Sequence, residues 1–391
     1  MYELVIYALL GFLILWDFKA NKIRDKKPEW IIYALIAGFF GIRFSLGPDT
    51  AVYCRVFNIV ENPIQEAMTS HVERNILYSF LSLFCKRAFG EFRWLVLVQN
   101  VLILGGCSFV IYKHSKNKLM SLLLFIGSGM LEVFYGSGVR QALAMTIYFV
   151  GFYCFLPQKK ILRYELCCLL AFGFQEIALV AAVVPFVYLM VGLFKKKPVV
   201  FIIVTFLLAL SLTMFVKTKL YYWSWHITET YGTAPVWTHV IAYLRFHNFS
   251  ILGFGMECVF GIILWMLYFF SDRSKHNDFT IFSVLVFWFS VLFYVAFAMY
   301  DLMSRVTDFL QIIQLVVIPV LIEAIPDIRK KTLAFLAVFA LNGFLLYVDS
   351  TVNLRRISEQ FGHEYTLMEY PYVTVFDTEG VKYYQTILEE Q

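Results

Sequence analysis

Long apolar runs, separated by short polar segments, occupy most of the chain. A transmembrane α-helix needs about 20 predominantly apolar residues, and about ten runs approach that length. The pattern therefore predicts an all-α, polytopic membrane protein with about 10 transmembrane helices. We place the spans at residues 2–16, 29–44, 92–112, 119–135, 139–156, 199–216, 249–271, 279–299, 304–323 and 332–350.

One further apolar run, residues 165–194, is too long for one comfortable span and too short for two. The polar residues Gln175 and Glu176 stand at its middle, and Gly173 precedes them. Glycine adds backbone flexibility, so the run would turn at this point. We expect a re-entrant or broken helical hairpin that turns at Gln175–Glu176.

The composition excludes a soluble protein and gives no sign of a metal or redox centre. Of the 391 residues, 60% are hydrophobic and only 16% are charged, whereas a soluble chain carries about 25% charged residues. The net charge of +5 lies in short basic runs between spans, so it does not indicate nucleic-acid binding. The seven cysteines form no C-x-x-C motif or Cys/His cluster, and we predict no metal site, no cofactor and no disulfide framework.

Basic residues concentrate in six short loops, and these loops set the predicted orientation. Because cytoplasmic loops are enriched in Lys and Arg, all six would be cytoplasmic and both termini extracytoplasmic. This alternation holds only if the run 165–194 enters and leaves on one side. The start, MYELVIYALLGFLILW, lacks a basic n-region and a cleavage site, so we expect a retained first span. The basic loops lie at residues 19–27, 113–118, 159–163, 195–197, 273–275 and 329–331.

The predicted organisation is a membrane domain over residues 1–350 and an extracytoplasmic C-terminal tail over residues 351–391. Long outer loops lie at residues 45–91 and 217–248, and the tail contains the strand-like YPYVTVFDT. In the first loop, apolar residues recur every four positions, which predicts an amphipathic helix on the outer leaflet. These residues are Ile64, Met68, Val72, Ile76, Phe80 and Phe84.

Five polar residues stand at or near the outer ends of apolar segments: Arg43, Asp49, Tyr53, Arg140 and Arg305. Holding an arginine beside lipid costs a few kcal/mol unless a partner or a water-filled cavity receives it. Guanidinium groups bind two phosphate oxygens at once and stay charged, so we predict a site for an anionic ligand. The alternative is that single arginines extend to lipid headgroups. Such residues would be expected on both faces and would favour lysine.

Three motifs resemble those of the EpsG family of exopolysaccharide membrane proteins. GIRFSLGPDTAVYCRVF (41–57) resembles the family's R-[YF]-x-x-G-x-D-x-x-x-Y signature, and GVRQALAMTIYFVGF (138–152) resembles its Arg-Gln-x-x-Ala at the start of a span. SRVTDFLQIIQLVVIP (304–319) is similar to its arginine near the start of a late span that ends in Pro. Glu73 lies where the family tends to carry a glutamate. The resemblance covers most of the chain to about residue 325.

The resemblance implies a GT-C-like polymerase of the Wzy type in the bacterial cytoplasmic membrane. Such proteins join oligosaccharide repeat units carried on undecaprenyl diphosphate, at the outer face, into capsular, exo- or O-antigen polysaccharide. The implied partners are the undecaprenyl-diphosphate-linked oligosaccharide, membrane lipids, a chain-length regulator and a flippase, with no nucleic acid.

Glycosyl transfer from a lipid diphosphate needs a charge clamp on the leaving group and a base for the acceptor hydroxyl. We expect Arg43, Arg140 and Arg305 on the diphosphate, with Gln141 as a neutral donor. No D-x-D motif appears in an outer loop, so arginines would replace a metal ion. The other substrate-binding candidates are Tyr53, Gln175, Arg245 and His247.

The base stays open among Asp49, Glu73 and Glu176, and His247 and His239 are further candidates. At the hairpin the EpsG family usually carries Phe-His-x-Ser/Thr-Ala, whereas this chain has FQEIA (174–178). Gln175 cannot act as a base, so Glu176 would take over that role or the histidine is not the family's base. Two simpler interpretations stand beside these: Asp49 orients an arginine by a salt bridge, and Glu176 is a solvated residue at the hairpin tip.

Three other functions are open to such a chain. A transporter or flippase of lipid-linked oligosaccharides would share the arginine-rich cavity, but it should show internal repeats and polar residues through the midplane. A scaffold in an envelope assembly would leave the clustered arginines without a ligand. A multi-span acyltransferase would carry a His-centred motif on the cytoplasmic side, and the sequence shows none.

Overall fold

The computed structural model describes residues 2–24, 26–44, 49–62, 64, 75–127, 138–215, 226, 251–297, 301–361 and 373–389. Within these ranges the regular structure is helical, which confirms the all-α prediction. The α-helices are α1 (Tyr2–Ala20), α2 (Lys27–Gly41), α3 (Thr50–Ile59), α4 (Ile76–Phe89), α5 (Phe92–His114), α6 (Lys118–Gly127), α7 (Val139–Phe155), α8 (Ile161–Phe174), α9 (Val191–Lys196), α10 (Pro198–Phe215), α11 (Ile251–Phe270), α12 (Asp278–Phe297), α13 (Asp301–Gln311), α14 (Gln314–Glu323), α15 (Ile328–Phe361) and α16 (Thr378–Glu389). The 3₁₀ segments are Leu156–Gln158, Glu176–Met190 and Arg273–Lys275.

Six helical segments in the described part of the chain are long and apolar enough to cross a membrane. Helices α13 and α14 add a seventh if they form one span, bent by 48°. Helix α1 has 19 residues but carries Glu3, Asp17 and Lys19, and α2 has only 15 residues. The chain is therefore a multi-pass membrane protein, while the count of about 10 spans and the GT-C-like arrangement stay predictions. The six segments are Phe92–His114, Val139–Gln158, Glu176–Lys196, Gly253–Phe270, Asp278–Phe297 and Ile328–Glu359.

The predicted break at Gln175 is confirmed. Helix α8 ends at Phe174, Gln175 is extended (φ −155°, ψ 125°), and a 3₁₀ segment starts at Glu176 and leads into α9. The hydroxyl of Tyr164 donates to the carbonyl of Ala181 (2.6 Å), so the two arms pack side by side. The arms reach beyond residues 165–194 on both sides, which makes the second arm long enough to span.

Gly173 serves close packing rather than flexibility. It lies in the last turn of α8, and a Cβ at this position would meet Leu77 Cδ1 of α4 at 2.5 Å. A larger side chain would therefore force the Leu77 side chain to move, since packed interiors leave little room for extra atoms.

Three of the basic loops, at residues 19–27, 113–118 and 329–331, meet at one end of the molecule. Glu323, at the end of α14, pairs with Arg24 of the first loop and with Lys331 of α15. Asn117, before α6, donates from Nδ2 to Glu323 Oε1 (3.0 Å). Loops that are far apart in sequence thus share one carboxylate. Because they contact one another, they lie on the same face, as their basic composition predicts.

The C-terminal tail packs against the other end. Helix α15 is continuous for 34 residues, so the boundary drawn at residue 350 falls inside it. Phe44 donates its backbone N–H to the Val373 carbonyl (2.7 Å), and Val375 donates to the Ile42 carbonyl (2.8 Å). This antiparallel bridge ties the tail to the segment after α2, and α16 then packs on α3.

The apolar stripe that predicts an amphipathic helix at residues 64–84 is described in its second half, as α4. Phe80 and Phe84 are exposed, at 43% and 62%, and point away from the rest of the protein. Tyr78 and Ser82 are buried on the face that packs against the bundle. The first half of the stripe, apart from Ile64, lies outside the described residues.

Candidate functional site

Asp49 lies near three arginines that come from distant parts of the sequence. It directly precedes α3, and the charges of Arg305, Arg140 and Arg356 act on its carboxylate. Burial raises the pKa of the Asp49 carboxyl, and the three arginines partly offset that rise, with Arg305 the strongest. The carboxylate lies at the end of the molecule opposite the basic loops, because Arg356 is near the end of α15 and Lys331 is near its start.

Arg140, in the first turn of α7, lies against two tyrosine rings. Its guanidinium carbon is 5.4 Å from the ring centroid of Tyr53 and 6.0 Å from that of Tyr78. It also hydrogen-bonds the Tyr53 side chain. Gln99 Nε2 holds the Tyr78 hydroxyl at 2.8 Å. Cation–π contact and hydrogen bonding together orient the guanidinium, which fixes the direction of its N–H groups.

Asn75 connects Arg140 to the hairpin break. In the amide orientation that satisfies both of its polar groups, the oxygen accepts from Arg140 Nη1 (2.8 Å) and the nitrogen donates to the Phe174 carbonyl (3.1 Å). Phe174 is the last residue of α8, directly before Gln175. A cavity of about 10 Å³ between Asn75 and Arg140 has room for about one water molecule. The Asn75 side chain therefore connects the Arg140 guanidinium to the last residue of α8 by two hydrogen bonds.

The side chain of Gln141 contacts the main chain of Arg305. Its Nε2 donates to the Arg305 carbonyl at 3.1 Å, and the Gln141 side chain is buried. The sequence predicts this amide as a neutral donor to the ligand, and in the structure it donates to the main chain in the N-terminal half of α13. The Arg305 side chain is partly exposed beside Asp49.

Arg43 has a different environment from the other two predicted arginines. It is 3% exposed and forms an ion pair with Glu3 of α1. Asn100 Nδ2 donates to both the Arg43 carbonyl (2.9 Å) and the Gly41 carbonyl (3.0 Å). Arg43 therefore joins α1, α2, α5 and the tail at this end of the molecule, and it is absent from the charges that act on Asp49.

The remaining predicted site residues lie at the hairpin or outside the described residues. Gln175 donates its backbone N–H to Ala171 and accepts from Ala178, so its main chain forms the turn. Glu176 is exposed at the start of the second arm. Glu73, His239, Arg245 and His247 lie outside the described residues.

Four further residues of interest are not among the sequence-predicted site residues: Arg356, Asn75, Tyr78 and Glu257, which lies in a candidate membrane span. Arg356 was assigned to a separate tail, so only the continuity of α15 brings it to Asp49. Glu257 lies inside α11 and accepts from Gln311 Nε2 (2.8 Å), at the point where α13 ends and the bent span turns. A carboxylate within an apolar run was the signal that could have found it.

Comparisons with known proteins agree with the motif resemblance. A family model described as the EpsG family matches residues 30–366. This range includes Asp49, Arg140, Arg305 and Arg356, and it leaves out Glu3 and the bridge at Thr374. No curated protein and no solved structure matches the chain.

Proposed function

The chain belongs to the EpsG family of exopolysaccharide-biosynthesis membrane proteins, and we propose on that premise that it is a polysaccharide polymerase. In this proposal it joins oligosaccharide repeat units carried on undecaprenyl diphosphate at the outer face of the bacterial cytoplasmic membrane. The reaction is glycosyl transfer without a metal ion, and the product is a capsular, exo- or O-antigen polysaccharide.

The convergence of Arg140, Arg305 and Arg356 on Asp49 carries the proposal. Three guanidinium groups act on one partly buried carboxylate. Guanidinium groups in a partly desolvated place attract a multiply charged anion, and their forked N–H groups match phosphate oxygens. A lipid diphosphate fits this requirement, because its prenyl chain would lie in the bilayer while its charged group reaches the helix ends.

Arg140 and Arg305 would bind the diphosphate and stabilise the charge that develops as it departs. The acceptor hydroxyl oxygen forms the new bond to the anomeric carbon, and the bond from that carbon to the diphosphate oxygen breaks. The electron pair leaves with the diphosphate. Preorganisation by Tyr53, Tyr78 and Asn75 keeps the Arg140 N–H groups in place for this step.

Asp49 is our choice of base among the sequence candidates, and it accepts the proton of the acceptor hydroxyl. Its raised pKa moves it towards the working pH, which favours proton transfer, and it lies next to both arginines that would hold the leaving group. Glu176 is exposed on the hairpin turn. Arg43 and Gln141 act as positioning residues in this scheme, because their side chains bind Glu3 and the Arg305 carbonyl.

The test expresses Arg140→Ala and Arg305→Ala in cells that lack the native gene, with Arg163→Ala as the matched control. Arg163 is an exposed arginine in the first turn of α8, at the other end of the molecule. We expect both site variants to lose long polymer and to accumulate lipid-linked single units accessible from the outer leaflet, while the control makes normal polymer. Persistence of long polymer in both site variants would falsify the diphosphate-clamp proposal.

The same experiment separates the polymerase from the alternative, a flippase of lipid-linked oligosaccharides. A disabled flippase would leave single units on the cytoplasmic leaflet, where an impermeant glycan-binding probe cannot reach them. Outer-leaflet accumulation therefore supports the polymerase, and cytoplasmic-leaflet accumulation supports the flippase.

A further inference from the structure

A second cavity lies at the end of the molecule where the basic loops meet. It has a volume of about 240 Å³, is half open to the surroundings, and lies between α2, α5 and the start of α6. Its walls include Trp30, Tyr33, Phe109 and Tyr112. The cavity is lined by Glu29 and Trp30, in the first turn of α2, whereas Arg43 follows the last residue of that helix. The groove is therefore separate from the arginine site.

The groove presents hydrocarbon surface to whatever enters it. The Tyr33 hydroxyl donates to Ser108 Oγ (3.0 Å), so the two hydroxyl groups in the wall satisfy each other. The rings of Trp30 and Tyr112 lie 4.4 Å apart and are about half exposed. Sites that enclose a compact small molecule measure roughly 300–1,000 Å³. A smaller, open groove fits a stretch of a long flexible chain.

Gly105 forms part of the wall and keeps the groove open. A Cβ added at Gly105 would meet nothing within 4 Å. Phe109 and Tyr112 lie on the same face of α5 as Gly105 and have large side chains, which would keep another helix at a distance. The missing side chain at Gly105 therefore leaves room for a small occupant.

Two lysines stand over the rings of the groove. Lys113 Nζ is 5.8 Å from the Phe109 ring centroid, and Lys118 Nζ is 5.8 Å from that of Tyr112. Lys118 shares its charge with the buried carboxylate of Glu29 (3.5 Å). Among the described residues, no carboxylate forms an ion pair with Lys113, so its charge is available at the edge of the groove.

We propose that this groove binds one anionic phospholipid from the leaflet beside the basic loops. An acyl chain occupies the aromatic groove along Gly105, and the lipid phosphate lies against Lys113. Basic residues next to membrane-embedded helices attract anionic headgroups by about 1 kcal/mol each. The combination of an apolar groove and an adjacent cation selects a lipid over either a free anion or a neutral hydrocarbon.

The test measures lipid binding to the full-length protein in detergent by native mass spectrometry. Phosphatidylglycerol and phosphatidylcholine with identical acyl chains are compared. We expect one tightly retained phosphatidylglycerol and weaker binding of phosphatidylcholine. Gly105→Leu should abolish this binding and Gly105→Ala should weaken it. The matched control is Gly38→Leu, since Gly38 also has open space around its Cβ but does not line the groove.

Lys113→Gln distinguishes headgroup recognition from chain recognition. It should weaken phosphatidylglycerol binding about five-fold and leave phosphatidylcholine binding unchanged, as expected for the loss of one lysine charge. The proposal is overturned if Gly105→Leu binds phosphatidylglycerol normally, or if Gly38→Leu loses binding to the same extent. It is also overturned if undecaprenyl phosphate displaces phosphatidylglycerol from the groove, because the occupant would then be the prenyl lipid.

Discussion

The two ends of this molecule use charged residues in opposite ways. At the basic-loop end, the carboxylate of Glu323 receives Arg24 and Lys331 and the amide of Asn117, so four chain segments are bound together. At the other end, one carboxylate, Asp49, faces three arginines and is itself partly exposed. A buried carboxylate that is saturated by protein donors holds a structure together. Several partly exposed guanidinium groups that converge near one carboxylate are suited to an anionic ligand.

Asp49→Asn should give the largest effect and sharpens the assignment at the arginine end. If Asp49 is the base, kcat/KM falls by about 10²–10⁴, while the affinity for lipid diphosphate stays equal or rises because a competing carboxylate is gone. Polymerisation of purified lipid-linked units and a separate binding measurement check this. If Asp49 only orients the arginines, the affinity for the diphosphate falls together with the rate.

Glu323→Ala should give the next largest effect, on stability rather than on chemistry. Removing this carboxylate takes the shared ion-pair partner away from Arg24 and Lys331, whose charged groups are partly buried. We expect the free energy of unfolding to fall by about 3–5 kcal/mol. Thermal unfolding in detergent measures the change. Asp278→Asn is the control, because its exposed pair with Lys195 contributes less than about 1 kcal/mol. Equal loss of stability in both variants would contradict the role assigned to Glu323.

The Arg43–Glu3 pair tests whether Arg43 belongs to the structure or to the ligand site. Glu3→Gln should destabilise the protein by about 3 kcal/mol, because it leaves a buried guanidinium without its counter-charge, and the double variant with Arg43→Met should recover much of that loss. A double-mutant cycle on thermal stability measures the coupling. If Arg43 binds the diphosphate instead, the double variant folds but fails to bind it.

Arg356→Ala should give the smallest effect, on the pH dependence. A base must be deprotonated, so activity falls as the pH drops through the raised pKa of Asp49. Arg356 lowers that pKa, and its removal therefore moves the acidic limb of kcat/KM to higher pH. The shift should be small and should shrink at high salt, since Arg356 is exposed. A shift to lower pH would contradict the assignment of the limb to Asp49.

The helical break shows where sequence reasoning works. Two adjacent polar side chains in the middle of an apolar run would lose hydration free energy if they faced lipid. Gln175 and Glu176 therefore indicate the turn from the local sequence alone. The stripe at Phe80 and Phe84 shows the limit of the same reasoning. Periodicity predicts a helix, but it does not say which face packs, and in α4 the buried face is the one with Tyr78 and Ser82.

Hydropathy and charge patterning along the chain determined the all-helical class, the turn at Gln175 and the set of basic loops that meet at one end. Only the tertiary structure decided that Arg43 forms an ion pair with Glu3 and that Arg356 lies near Asp49. Glu3 and Arg43 are 40 residues apart, and Arg356 reaches Asp49 only because α15 continues past residue 350. The physical reason is that hydropathy is a property of a local segment, whereas the charge balance of a site depends on short distances between segments that the sequence keeps far apart.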